Sequence, residues 1–123
     1  MITGIVTKSL EATVWLTVIG PGGNQQEIDA LVDTGFDGWL SLPASIISKL
    51  KLPWRGRGRA LLADGSETVF DLYEATMLWH QESRRIRVDE AETEPLIGIA
   101  LLEGSKLNIE VREGGRVIIE LLE

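Results

Sequence analysis

Apolar and polar positions alternate along much of this chain, in short runs separated by glycine-rich breaks. Residues 13–19 read Thr-Val-Trp-Leu-Thr-Val-Ile, an alternation rich in β-branched and aromatic types that predicts a strand. Gly20-Pro21-Gly22-Gly23-Asn24 is a strong turn signal, and residues 26–32 supply the return strand. Residues 39–42 predict a short strand. Pro43 to Leu50 predicts a short helix, with Pro43 suited to the first turn and Ile46, Ile47 and Leu50 on one face. Arg55-Gly56-Arg57-Gly58-Arg59 predicts a flexible basic stretch. Residues 60–63 and 67–76 predict two strands around Asp64-Gly65-Ser66, since Asp-Gly between apolar runs is a strong hairpin signal. Apolar character continues to Trp79, and residues 84–88 predict another strand. Residues 89–94 read as an acidic loop, and residues 97–102 as one or two helical turns ending near Gly104. Residues 107–111 and 116–121 predict a last pair of strands around Glu113-Gly114-Gly115. No internal repeat is visible. Many short strands with frequent turns predict an all-β barrel.

The chain has 123 residues, which predicts a single domain over 1–123. Hydrophobic residues make up 44%, enough for a folded core rather than a disordered chain. The absence of cysteine removes disulfides and thiolate chemistry. A net charge of −7 argues against a nucleic-acid partner, because phosphate contacts need clustered Lys and Arg. The Arg55–Arg59 tract is short for RNA binding and reads better as a mobile loop. No apolar run reaches membrane-spanning length, and Met1-Ile2-Thr3-Gly4 does not open a secretory signal. A cytoplasmic protein without a membrane partner is expected. His80 is the lone histidine. It completes no metal-ligand pattern, and no Gly-X-Ser-X-Gly elbow is present, so neither a metal nor another cofactor is expected. Trp15, Trp39, Trp54 and Trp79 are expected as core or interface anchors.

The densest chemistry lies in Ala30-Leu31-Val32-Asp33-Thr34-Gly35-Phe36-Asp37-Gly38. An apolar run delivers an acid into a tight turn. An unpaired carboxylate is costly to bury, so Asp33 needs a special environment. Thr34 offers a hydroxyl and a methyl, and Gly35 permits close backbone approach. By itself Asp-Thr-Gly is also an ordinary β-turn sequence. Two further segments separate this one from such turns. Phe36 to Pro43 continues as a strand-like run. Far downstream, Pro95-Leu96-Ile97-Gly98 precedes Ile99-Ala100-Leu101-Leu102.

Together these segments resemble retropepsin-like aspartic proteases of the single-lobe cellular or bacterial type, over roughly residues 13–121. Members carry Asp-Thr-Gly after an apolar strand, and an apolar-apolar-Gly motif that packs behind the catalytic loop and opens a short helix. The resemblance implies a closed retropepsin-like barrel with a flap hairpin and one or two short helices. It implies an aspartic endopeptidase in which Asp33 is the catalytic carboxylate. Thr34 would lock two loops together across an interface, and Gly35 would offer its carbonyl to a peptide or protein substrate. Asp37 falls where an acid follows the loop, as a substrate contact or equally as a turn cap. Asp64, Gly65 and Ser66 fall at the flap, which closes over substrate, and Leu96, Ile97 and Gly98 match the packing motif. Trp39, Leu62 and Ile99 are candidate lining residues of apolar specificity pockets, or core. Only one Asp-Thr-Gly occurs, so a complete Asp pair implies a homodimer.

The chain departs from viral relatives. Ile99-Ala100 stands after Gly98, where those enzymes usually place Arg-Asn or Arg-Asp, an arginine that supports their dimer. The alternative is therefore a non-catalytic peptide-binding or assembly module on the same fold. Arg55, Arg57 and Arg59 are candidate substitutes for that arginine. The cluster Arg84, Arg85 and Arg87 reads as a solvated hairpin with ion pairs of small value.

Overall fold

Period-two alternation becomes strands wherever one face can be buried. The computed structural model describes residues Met1–Glu123. The chain opens with β1 (Ile2–Val6), β2 (Ala12–Ile19) and β3 (Gln25–Val32), an antiparallel set with β2 in the middle. On β2, Val14, Leu16 and Val18 are buried while Trp15 is 61% exposed. The 20–24 turn closes with Gly20 N–H donating to the Asn24 carbonyl at 2.9 Å. Strand β1 has no counterpart in the sequence-based expectation. Gly4 interrupts its short apolar pattern, and a Cβ there would meet the Thr13 carbonyl oxygen at 1.8 Å. The residue that weakens the strand signal is the one that lets β1 lie against β2.

After β4 (Leu40–Leu42) comes α1 (Ala44–Leu50), which begins after extended Pro43 and buries Ile47 and Leu50. Then follow β5 (Trp54–Leu61), β6 (Glu67–Trp79) and β7 (Glu82–Glu90), then β8 (Leu96–Ile97), α2 (Ile99–Leu102), β9 (Ser105–Ile109) and β10 (Arg116–Leu121). The sheet runs β5-β6-β7-β4-β8-β3-β2-β1-β10-β9. Pairing of β6 with β2, at Val18–Met77 and Ile19–Thr76, closes six of these strands into a barrel. The fold is thus the expected all-β closed barrel with two short helices. The core includes Val14, Val18, Leu40, Leu42, Met77 and Ile97, each of these six under 2% exposed. No helix is long and apolar enough to cross a membrane.

Several local expectations need correction. The Arg55–Arg59 segment is not a flexible stretch but most of β5, paired with β6. Its arginines reach acids on β6, at 3.0 Å for Arg55–Glu74 and 3.7 Å for both Arg57–Asp71 and Arg59–Glu67. Asp89 and Glu90 belong to β7 rather than a loop, and Ile97 belongs to a strand rather than a helix. Of the four tryptophans, Trp79 lies in the core and Trp39 packs against it, whereas Trp15 and Trp54 are exposed.

Candidate active site

Strand β3 ends at Val32 and hands Asp33 to a tight turn. The Phe36 N–H donates to the Asp33 carbonyl at 3.1 Å, and the Gly35 N–H donates to Asp33 Oδ1 at 3.0 Å. Asp33 is half-buried, with Thr34 and Gly35 exposed beside it. The turn therefore holds the carboxylate by its own backbone, at the end of β3.

The second motif lies against the first. Strand β8 runs parallel to the end of β3, with Leu31 opposite Leu96 and Val32 opposite Ile97. The Asp33 N–H donates to the Ile97 carbonyl at 2.9 Å. On the far side of the turn, Gly98 N–H donates to Trp39 O at 3.0 Å, Ile99 N–H to Phe36 O at 2.8 Å, and Ala100 N–H to Gly38 O at 3.1 Å. Glycine is required at 98, since a Cβ there would lie 2.1 Å from the Gly38 carbonyl oxygen. Two segments distant in sequence thus share one hydrogen-bond network, and the position of Asp33 depends on both.

The β5–β6 hairpin arches over a cavity of about 770 Å³, with Arg59, Ala60, Leu61, Thr68, Val69 and Phe70 on its side. Gly35, Phe36 and Asp37 border the cavity from the Asp33 turn, and Ser41, Arg87 and Asp89 from the barrel. Asp33 itself faces a smaller groove of about 400 Å³, lined largely by apolar residues such as Leu10, Leu31 and Val111. Thr34 borders a third hollow with Ile99 and Leu107. Asp64, Gly65 and Ser66 form the hairpin's tip, outside the cavity lining. There the Ser66 N–H donates to Asp64 Oδ1 at 2.9 Å, the Ser66 hydroxyl binds the same oxygen, and the two hold the Asp64 pKa below the usual range. Of the expected pocket-lining residues, Trp39, Leu62 and Ile99 all lie outside the main cavity. Its lining is also more polar than apolar specificity pockets would be.

Three cavity residues, Ser41, Arg87 and Asp89, were not among the site residues expected from the sequence, and Arg87 was expected only in a solvated hairpin. Asp89 is 6% exposed. Burial raises its pKa, Arg87 opposes that shift, and the Asp37 charge adds to it. Arg87 Nε donates to Asp89 Oδ1 at 3.0 Å, and the Arg87 guanidinium lies 5.7 Å from the Trp39 ring centre, within cation–π range. Ser41 is 2% exposed, and its Oγ has no hydrogen-bond partner. No local signal marks Ser41 and Asp89 as neighbours, because they meet only through the pairing of β4 with β7. None of Arg55, Arg57 and Arg59 pairs with Asp37, because their partners lie on the hairpin.

His80 Nε2 lies 2.9 Å from Ser105 Oγ, the separation of a nucleophile and its base. No carboxylate orients the ring. Burial and the positive chain terminus lower the His80 pKa, which disfavours the imidazolium that serine catalysis must form. The contact ties the β6–β7 turn to β9. No group of three or more His, Cys, Asp or Glu side chains is arranged to hold a metal ion.

In three dimensions the chain is similar to a retropepsin-like aspartic protease from Rickettsia conorii, known from a crystal structure. The two superpose with a TM-score of 0.57 and 15% sequence identity, over 98% of this chain and 90% of that one. At that identity the likeness establishes the fold, which is retropepsin-like. No protein-family model matches the chain, and no curated protein matches it significantly in sequence.

Proposed function

We propose that this chain is an aspartic endopeptidase whose catalytic pair is made by Asp33 from each of two copies. The supporting observation is the Asp33 turn itself, pinned by Gly35 N–H from within and by Ile97 from β8. Such bracing holds a reacting group in place before substrate arrives. A chain with one such aspartate obtains a second by two-fold symmetry, since a residue near the axis meets its own copy. Two adjacent carboxylates share a proton, because both do not ionise readily together. The ionised one takes a proton from water, and the oxygen of that water bonds to the scissile carbonyl carbon. The protonated one hydrogen-bonds the carbonyl oxygen as it gains charge. When the tetrahedral species collapses, the C–N bond breaks and a carboxyl proton passes to the leaving amine. The β5–β6 hairpin would cover an extended peptide, which main-chain hydrogen bonds align as an added strand.

The test is cleavage of a peptide library from acidic to neutral pH, at several chain concentrations. Asp33→Asn is expected to lower kcat/KM by about 10³-fold, the scale of one positioned acid–base group, while circular dichroism stays unchanged. Specific activity should rise with concentration as copies associate, with an optimum on the acidic side. Cleavage that persists in Asp33→Asn would overturn the reading. The alternative, a peptide-binding or assembly module, is favoured by one feature: Ile99, 47% exposed, stands directly after Gly98 and brings no charge to bind a neighbouring acid. Peptide binding without turnover at every concentration and pH would select that alternative.

A further inference from the structure

We propose that Asp37, Ser41 and Asp89 form a polar subsite that takes a lysine or arginine side chain of the bound peptide. The inference deepens the endopeptidase reading and rests on it for the claim that a peptide occupies this cavity.

Topology puts the three residues together. Strands β4 and β7 run parallel, and Ser41 is the direct register partner of Asp89, so their side chains stand side by side on one face. Asp37 reaches the same cavity from the turn after Gly35. It lies close enough to Asp89 for its charge to be felt there. Asp89 Oδ2 points toward Gly38, where an added Cβ would meet it at 3.2 Å. The one side-chain hydrogen bond to Asp89 goes to the other oxygen, from Arg87.

Unfilled hydrogen-bonding capacity identifies the occupant. The Ser41 hydroxyl is buried on the cavity wall without a partner, a state that costs free energy until a partner arrives. Ionised carboxylates only accept hydrogen bonds, whereas ammonium and guanidinium groups only donate them. The cavity's own arginines are already engaged. Arg87 is bound to Asp89 and stacked near Trp39, and Arg59 pairs with Glu67 at 3.7 Å. An acidic side chain would face Asp37, Asp89 and Glu90 together. An apolar one would leave the already buried Ser41 Oγ without a partner. A cationic chain satisfies the acceptors, and its aliphatic stem can lie along Phe36 and Leu96, which also line the cavity.

The test separates binding from catalysis. Capped octapeptides that differ only in one residue (lysine, norleucine or glutamate), stepped along the sequence, are titrated by calorimetry into the Asp33→Asn chain. At one position the lysine peptide should bind about tenfold tighter than the norleucine peptide, as charge-assisted hydrogen bonds imply. The glutamate peptide should bind weakest. The lysine-to-norleucine ratio should fall toward one in Asp89→Asn, which is close to isosteric and retains an oxygen for Arg87. It should also fall in Asp37→Asn, an exposed site where folding is not at stake. Equal binding of the three peptides, preference for glutamate, no binding, or a lysine preference that survives both variants would each overturn the subsite. Failure of the wild-type chain to cleave would count against the endopeptidase alone, because the binding ratios do not depend on turnover.

Discussion

At the residue scale, the site depends on a few atoms with no tolerance for displacement. Gly98 has the carbonyl of Gly38 where its side chain would be. Gly98→Ala is therefore expected to destabilise the chain by about 3 kcal/mol, the upper part of the usual overpacking range. Urea unfolding checks this, and an unchanged midpoint would refute it. Ser41 presents the opposite case. Its hydroxyl is buried and unpartnered, so Ser41→Ala should stabilise the free chain by about 1 kcal/mol. The same measurement decides, and a loss of stability would show that the hydroxyl has a partner. A residue kept at a cost to folding is one whose benefit lies elsewhere, which is consistent with a binding role for Ser41. Asp33, Thr34 and Gly35 were legible as a unit, because an acid-hydroxyl-glycine triplet after an apolar strand is a local pattern. Asp89 was not, because its importance comes from a strand far away in sequence.

At the scale of elements, strands rich in β-branched residues and bounded by turn signals were read closely, as with the expected 116–121 and the observed β10, Arg116–Leu121. Most of β5 was misread because residues 55–59 alternate arginine with glycine and carry no apolar signal. Pairing with β6 makes it a strand, and Gly58 leaves room for the Phe70 ring, which an added Cβ would meet at 2.7 Å. The turn between β6 and β7 also defies local preference. His80 and Gln81 both have positive φ, at 52° and 67°, where a two-residue hairpin ordinarily places Asn-Gly. Gln81→Gly should therefore stabilise the chain by roughly 0.5–1 kcal/mol, the relief of a left-handed residue less the entropy glycine loses on folding. Thermal unfolding would show it as a rise in Tm, and a fall would mean the Gln81 side chain makes a contact that outweighs the strain.

At the scale of the whole molecule, barrel closure puts an acid where water hardly reaches. Burial raises the pKa of Asp89 in the folded chain, so between the ordinary value of 3.8 and the higher folded value the native state holds a proton that the unfolded chain has released. The native state thus binds more protons than the unfolded one, and stability falls as pH rises through that window. Asp64 and Glu110, whose pKa values are lowered by hydrogen bonds from Ser66 and Arg116, act in the opposite sense, losing their contribution as pH falls. The Asp89 effect is isolated by difference. Unfolding free energy of the wild-type chain relative to Asp89→Asn should decline as pH rises above 3.8. A flat difference would contradict the burial argument.

Local chemistry alone determined the strand-rich class, the main hairpins, the short helices and the Asp-Thr-Gly turn, since each is encoded by neighbours within a few residues. Only the tertiary structure decided that β1 joins the sheet, that the Arg-Gly tract is an edge strand, and that Ser41 and Asp89 stand side by side on the cavity wall. The reason is that burial and cross-strand register belong to pairs of segments far apart along the chain. A single residue such as Asp89 carries the same local signature in a solvated loop as in the wall of a cavity, until the barrel closes around it.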